Sequence, residues 1–288
     1  MINTTESEQV IGIQTYYEQS AMAYNNWGRD LERDGIYALH CGYEEPGQNI
    51  GHWDSIKQLT RQVIRSMDIQ EGDVILDAGC GTGAASFETK SQYPSTTIYG
   101  INLALNQLQS ARTFAGVSEV PGSFFVLQDY ISTAFQSETF NKIMFIESVA
   151  HAQTKRAALQ ESKRILKPGG ILTVADIFFQ REPTTDEERE WVSDLARGWF
   201  MPNFNSIDVF KEELEDEGFE IASERNISEN ILPSTLRMRL NSEQRMIEEK
   251  VMETVSKEIY WSRKAVIASH KVVESGLIGY YLLNAKLK

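Results

Sequence analysis

Apolar positions along the chain follow two alternating rhythms. Over residues 54–67 (DSIKQLTRQVIRSM) they fall at Ile56, Leu59, Val63, Ile64 and Met67. That spacing of three and four predicts a helix, with Asp54 at its start and Gly72 beyond its end. A short apolar run at 74–76 enters a glycine loop, DAGCGTG at 77–83, and a second helix is expected over 84–91. The unit then repeats. Strands are predicted at 97–101, at 123–127 leading to Asp129, at 142–146 ending at Glu147, and at 171–175 ending at Asp176. Helical segments fall between them, one running through Arg112 and one over 154–166 that Lys167-Pro168-Gly169-Gly170 closes. Runs this short and this apolar suit strands buried on both faces.

Beyond Asp176 the rhythm changes. Residues 186–200 are acidic and aromatic without a strand pattern, 207–217 and 219–227 read as helix then strand, 235–274 as a long charged helical stretch, and 277–285 as a terminal strand. The expected class is α/β, a doubly wound, mostly parallel seven-stranded sheet with right-handed crossovers and a helical cap. Residues 1–53 are expected to form an N-terminal helical cap. The core is expected to span 54–288, with cap insertions at about 180–205 and 228–275. In such sheets ligands bind outside the carboxyl ends of the strands, which singles out the loop at 79–83, Asn102, Asp129, the segment 147–151 and Asp176.

Composition narrows the partners. With 28 basic and 41 acidic residues the formal charge is −13, which disfavours a surface that tracks nucleic acid and leaves room only for an isolated basic pocket. Cys41 and Cys80 are the two cysteines, so no disulfide framework is expected and a reducing compartment fits. The N-terminus has no basic and apolar leader, and no apolar run is long enough to cross a bilayer; the expectation is a cytoplasmic protein. No Cys, His and Asp cluster has metal-ligand spacing, and no catalytic metal is expected.

In the loop, glycines permit positive φ and close backbone approach, and the helix starting near Ala84 offers unpaired N–H groups to a carboxylate. A dinucleotide site would show Gly-x-Gly-x-x-Gly. This loop instead reads Gly-x-Gly-x-Gly after Asp77, and Asn102 stands at the second strand end.

With VILDAGCGTG the chain resembles the class I S-adenosylmethionine-dependent methyltransferases, and YGINLALNQLQSA, FVLQDY, FIESVAHA and RILKPGGILTVADI follow in that family's order. Sterol and tocopherol C-methyltransferases and small natural-product methyltransferases look most similar, through YYEQSAMAYNNWG, LHCGYEE, GINLALNQL and ESVAHA. The resemblance implies a Rossmann-like methyltransferase fold, S-adenosyl-L-methionine as cofactor and S-adenosyl-L-homocysteine as its product. It also implies cofactor contacts. Asp77, Gly79 and Gly81, with Cys80 between, would hold the amino acid end; Asn102 and Leu103, with Gln107 beyond, would meet the ribose. Asp129 would accept from the adenine amino group with Tyr130 against the ring, Glu147 would border the cofactor, and Tyr16 and Tyr24 would close over it.

Methyl transfer from a sulfonium is an in-line displacement, with proton removal added where the acceptor requires it. His151 is the one histidine of four at a strand end and is the expected general base. Glu147 would position it, stabilise a developing cation or cap the next helix, and Asp176 is a third polar group aimed at the pocket. His40 and His52, in the N-terminal cap, could reach the acceptor, but a structural role is the default for each, and His270 in the distal helix is expected to be structural. Trp27, Trp53, Trp191, Trp199, Phe200, Phe204 and Trp261 favour an apolar or planar acceptor, and 201–204 is expected to act as a flexible lid. The expected function is methyl transfer to a hydrophobic small molecule of natural-product metabolism, with C-methylation of an isoprenoid-type acceptor favoured; were that acceptor a prenyl diphosphate, Mg²⁺ could accompany it. The alternatives are O- or N-methylation of a small aromatic acceptor, cyclisation without methyl transfer, and a non-catalytic interaction subunit. A homo-oligomer is compatible with each.

Overall fold

The computed structural model describes residues 11–12, 14–15, 29–30, 32–252 and 256–288. The first repeat gives α1 (His52–Ser66), β1 (Val74–Ala78), α2 (Ala84–Gln92), β2 (Thr97–Asn102), α3 (Leu105–Val117) and β3 (Ser123–Leu127). Then follow β4 (Phe140–Ile146), a single 3₁₀ turn at Val149–His151, α4 (Lys155–Ile165) and β5 (Leu166–Phe179). The last part holds α5 (Asp186–Gly198), α6 (Ile207–Asp216), β6 (Phe219–Asn226), α7 (Ser228–Met252), α8 (Lys257–Glu274) and β7 (Ile278–Leu287). The strands form one seven-stranded sheet in the order β3-β2-β1-β4-β5-β7-β6. Only β7 runs against its neighbours β5 and β6. Strand order reverses between β1 and β4, so the crevice for a ligand lies at their carboxyl ends.

Alternation along each strand divides the core. Ile75, Ile98, Met144, Tyr280 and Leu282 pack on one face with Leu59, Val63 and Ile64 of α1. Leu76, Ile101, Ile143, Val174, Tyr281 and Leu283 pack on the other with Leu159 and Phe210. The stripe predicted for the first helix is therefore the face that α1 buries. Truncating such a residue to Ala costs about 2–5 kcal/mol.

Three expectations change. The Pro-Gly-Gly segment does not separate a helix from a strand: β5 already pairs with β4 at Leu166, and the register shifts before Ile171 meets Lys142, so 167–170 are absorbed as an irregularity in a longer strand. The long helical stretch is two helices, α7 and α8, with α8 packed against both α5 and α7. The described residues 32–51 are not helical but form turns and extended chain. That strap is tied down at both ends. Tyr37 N–H donates to Thr82 Oγ1 (2.9 Å), whose hydroxyl donates to Tyr37 O (2.6 Å). Farther on, Gly42 N–H donates to Ser234 Oγ, Glu44 pairs with Arg237, and Asn230 bonds the backbone of Glu44. The acidic start of α5 is a capping box of Thr185 and Glu188, with Arg181 on the glutamate. No described helix is long and apolar enough to cross a membrane.

Candidate active site

The glycine loop leaves β1 at Ala78 and is fixed by one carbonyl: Ile101 O accepts from both Gly79 N–H (2.9 Å) and Cys80 N–H (3.0 Å). Gly79 has φ 83°, and a Cβ there would lie 2.5 Å from Ser148 Cβ, so only glycine lets the β4 turn close on the loop. At Gly81, φ 56°, an added Cβ would meet nothing nearer than Gln107 Oε1 at 4.0 Å; it would stand in the cavity that both residues line. Gly83 caps α2 without a side chain, and Ala84 and Ala85, the first residues of that helix, also line the cavity. A carboxylate fits there, against the unpaired N–H groups and the positive end of the helix. Burial pushes the Asp77 carboxyl up to about 6, while the hydroxyl and N–H of Ser86 hold it back. The hydroxyl bond is 2.6 Å.

Asn102 uses its Oδ1 to accept from Leu103 N–H (2.8 Å) and its Nδ2 to donate to Gln107 Oε1 (2.7 Å). The three side chains share the cavity wall with Gln128 and Tyr130. Asp129, between those last two, is half-buried and accepts from Ile131 N–H (3.1 Å). Tyr130 donates to Ser148 O (2.9 Å), and Ser148 donates to Ala78 O (2.6 Å), locking the ends of β1, β3 and β4 together.

The chemistry-bearing residues converge at the end of β4. Glu147, at φ 47°, accepts from Cys41 N–H (2.7 Å), and the Tyr280 hydroxyl, which donates to Ala175 O (3.4 Å), helps to hold its carboxyl down. Burial, and after it the charge of Asp176, pushes its carboxyl up to about 7. Asp176 accepts from Ala150 N–H (3.0 Å) and Ile177 N–H (2.8 Å). Burial raises its pKa to about 6 against those donors and the charge of Lys155. His151 lies on the 3₁₀ turn at the same wall, its Nδ1 3.4 Å from Phe200 O. Burial, aided by the Lys155 charge, pulls it down to about 4, so the imidazole is neutral at neutral pH. Sequence reasoning thus named three residues that the fold brings to one cavity.

Lys155 was missed. Its buried ammonium donates to Ala150 O (2.8 Å), Ala152 O (2.9 Å) and Asn203 O (3.0 Å), and burial lowers its pKa to about 8. It fastens the histidine turn to the segment expected as a lid. Asn203 adds a bond to Gln153 O (2.7 Å), and Trp199 and Met201 line the cavity. His40 is buried and bonds Cys41 O and Thr60 Oγ1, and His270 bonds Thr235 Oγ1, as structural histidines do. Tyr16, Tyr24 and Trp27 lie outside the described residues.

The cavity continues between α7 and α8. Ile231, Thr235, Met238, Ser242 and Arg245 line it from one helix, and Ser262, Val266, Ser269 and Val273 from the other. Both sets step by three and four, the helical period; their mixture of small, apolar and polar residues hid in the sequence that this face lines a cavity.

Residues 69–218 match a family model described as a methyltransferase domain. The chain is 31% identical over 218 residues to a sterol 24-C-methyltransferase of Kluyveromyces lactis, covering 74% of this chain and 58% of that protein. It thus spans less than two thirds of that relative. The erythromycin 3''-O-methyltransferase of Saccharopolyspora erythraea is 26% identical over 270 residues, 91% of this chain and 85% of the relative. Among solved structures, that of the [4+2]-cyclase SpnF covers 96% of this chain and 94% of its own with a TM-score of 0.78 at 21% identity, a likeness of fold alone.

Proposed function

Because this chain belongs to the class I S-adenosylmethionine-dependent methyltransferases, we propose that it methylates an apolar small molecule of natural-product metabolism, with carbon as the favoured acceptor atom and His151 as the base. The bound cofactor supplies an electrophilic methyl on a cationic sulfur. The chain's residues fit it: the open face of Gly81 and the uncapped start of α2 receive its amino acid end, and Asn102, Leu103 and Gln107 receive its ribose. Tyr130 offers a ring to the base, and Asp129 a carboxylate at the same strand end.

The observation that carries the reading is one cavity with the glycine loop, a neutral imidazole and two buried carboxyls at one end and a chamber between α7 and α8 at the other, where Ile231, Met238, Val266, Val272 and Val273 supply apolar wall. Shared walls hold donor and acceptor together, which converts an intermolecular displacement into an oriented one. A histidine whose pKa is drawn to about 4 is a weak base. It suits a proton on carbon next to a cationic centre, which is strongly acidic, better than an alkanol proton. Glu147 and Asp176 counter the positive charge that develops beside them. The similarity to a sterol 24-C-methyltransferase supports the choice of carbon, and the similarity to an erythromycin O-methyltransferase keeps a natural-product hydroxyl as the rival acceptor. A second assignment of the base rests on Glu147, whose carboxyl near 7 is matched to neutral pH. Both described cysteines are free and buried, which supports a reducing, cytoplasmic setting.

The test incubates the protein with methyl-labelled cofactor and an organic extract of its source, then identifies the labelled product. Label on a carbon of an organic-soluble molecule is expected. Label only in protein, nucleic acid or water-soluble amines would overturn the proposal.

A further inference from the structure

The charged residues on the described cavity wall are segregated. Asp77, Glu147 and Asp176 lie at the sheet end, and Arg245 and Arg263 come from the two helices farther out. The helices are joined by a short connection between Met252 and Lys257 and pack against each other, which makes them antiparallel. Thr235 bonds His270 deep in the pair. Ten residues farther along α7 and seven residues back along α8 stand Arg245 and Arg263, about one helical turn or less apart along the hairpin. Burial falls in the same direction: Ile231, Thr235, Met238 and Ser242 are buried, Arg245 and Arg263 half-buried, and Asn241 exposed. The guanidinium of Arg245 donates to Asn241 Oδ1 (3.1 Å), which steadies it at this level. Ser242 and Ser262 add hydroxyls to the same stretch of wall.

We infer that this end of the cavity is a subsite for an oxyanion, and that the acceptor is an apolar molecule ending in a phosphate ester or a carboxylate. The inference rests on the reading of the cavity as a methyl-acceptor chamber. A guanidinium presents a planar fork of donors that matches a carboxylate or phosphate, and hydroxyls and an amide beside it satisfy the remaining oxygen lone pairs. Half-burial makes the pairing stronger than at an open surface. The net charge of −13 repels anions in general, so the arginines mark the part of the cavity wall where an anionic group is best received. From Thr235 to Arg245 the helix rises about 15 Å. A chain of roughly ten carbons together with its end group spans about that length, and the end group fixes which atom of the acceptor faces the histidine.

The test titrates decyl phosphate, decanoate and decan-1-ol into the protein, with and without saturating S-adenosylhomocysteine. At least one anion is expected to bind about tenfold or more tightly than the alcohol, a difference of about 1.4 kcal/mol, and to weaken with added salt. Which anion is preferred decides between a phosphate and a carboxylate end. Arg245→Gln with Arg263→Gln should erase the preference while the alcohol still binds. Arg245→Lys with Arg263→Lys keeps both charges and should keep part of the preference. Equal affinity for the three probes, binding of none of them, or a preference that survives the double glutamine change would overturn the inference. Failure to bind S-adenosylhomocysteine would instead overturn the methyl-transfer reading, and the comparison in cofactor-free protein would still decide the subsite.

Discussion

Gly79 and Gly81 stand two residues apart in one loop, both left-handed, with φ of 83° and 56°. Alanine at either position carries the left-handed penalty of roughly 1–2 kcal/mol. Their surroundings separate them. At Gly79 the new methyl would lie 2.5 Å from Ser148 Cβ and 3.0 Å from its Oγ. Ser148 cannot yield without loosening its bonds to Ala78 and Tyr130. Overpacking adds about 1–3 kcal/mol, so Gly79→Ala should cost roughly 2–5 kcal/mol in all. At Gly81 the nearest atom is 4.0 Å away, so the stability cost stays at about 1–2 kcal/mol. There the methyl occupies cofactor space instead. Urea unfolding should therefore rank Gly79→Ala well below Gly81→Ala. Titration with S-adenosylhomocysteine should show Gly81→Ala weakened by about tenfold or more, about 1.4 kcal/mol. Equal destabilisation of the two variants would refute the packing argument, and unchanged affinity in Gly81→Ala would refute the assignment of the loop.

Glu147 gives a pH prediction. Its folded pKa of about 7 lies above the ordinary 4.5, so its contribution to stability is full below about 4.5 and is lost as pH rises through 7. The loss is on the order of 3 kcal/mol. Glu147→Gln stays neutral and still accepts from Cys41 N–H; relative to the parent it should gain about that much between pH 4 and pH 8. Parallel stability profiles by urea unfolding would show the carboxyl is not perturbed. Lys155→Met strips a charged donor from three carbonyls, Ala150 O, Ala152 O and Asn203 O. It should lower stability by about 2–4 kcal/mol and reduce kcat more than the affinity for S-adenosylhomocysteine, because the turn carrying His151 loses its anchor. A thermal melt and kcat matching the parent would contradict that role.

The strand and helix rhythm from residue 54 to Asp176 was legible because each element buries an apolar face and each strand ends in a polar or glycine position. The glycine loop was legible for the same reason, since its backbone geometry demands residues that nothing else tolerates. Other parts were not. Residues 32–51 carry no period because the strap is held by single bonds, such as Tyr37 with Thr82 and Cys41 with Glu147, rather than by a buried face. Pro168 and the two glycines after it signal a turn locally, but the pairing of Leu166 with Phe140 and of Ile171 with Lys142 carries the strand past them. Lys155 looks like an ordinary helix-start lysine in the sequence. Its three carbonyl partners come from residues 150, 152 and 203, and only the fold brings the last of these near. The acceptor wall was unreadable because its stripe mixes apolar, small and polar side chains, so the charged stretch 235–274 gave a helix and a place in the cap but not the face that lines the cavity.

The central claim joins donor, acceptor and His151 in one cavity, and the direct measurement is methyl transfer by His151→Ala alongside its binding of S-adenosylhomocysteine. Unchanged cofactor affinity is expected, with turnover lower by about 10²–10⁴, the range for loss of a general base. Turnover close to that of the parent, with the cofactor bound normally, would contradict it and move the proton to Glu147.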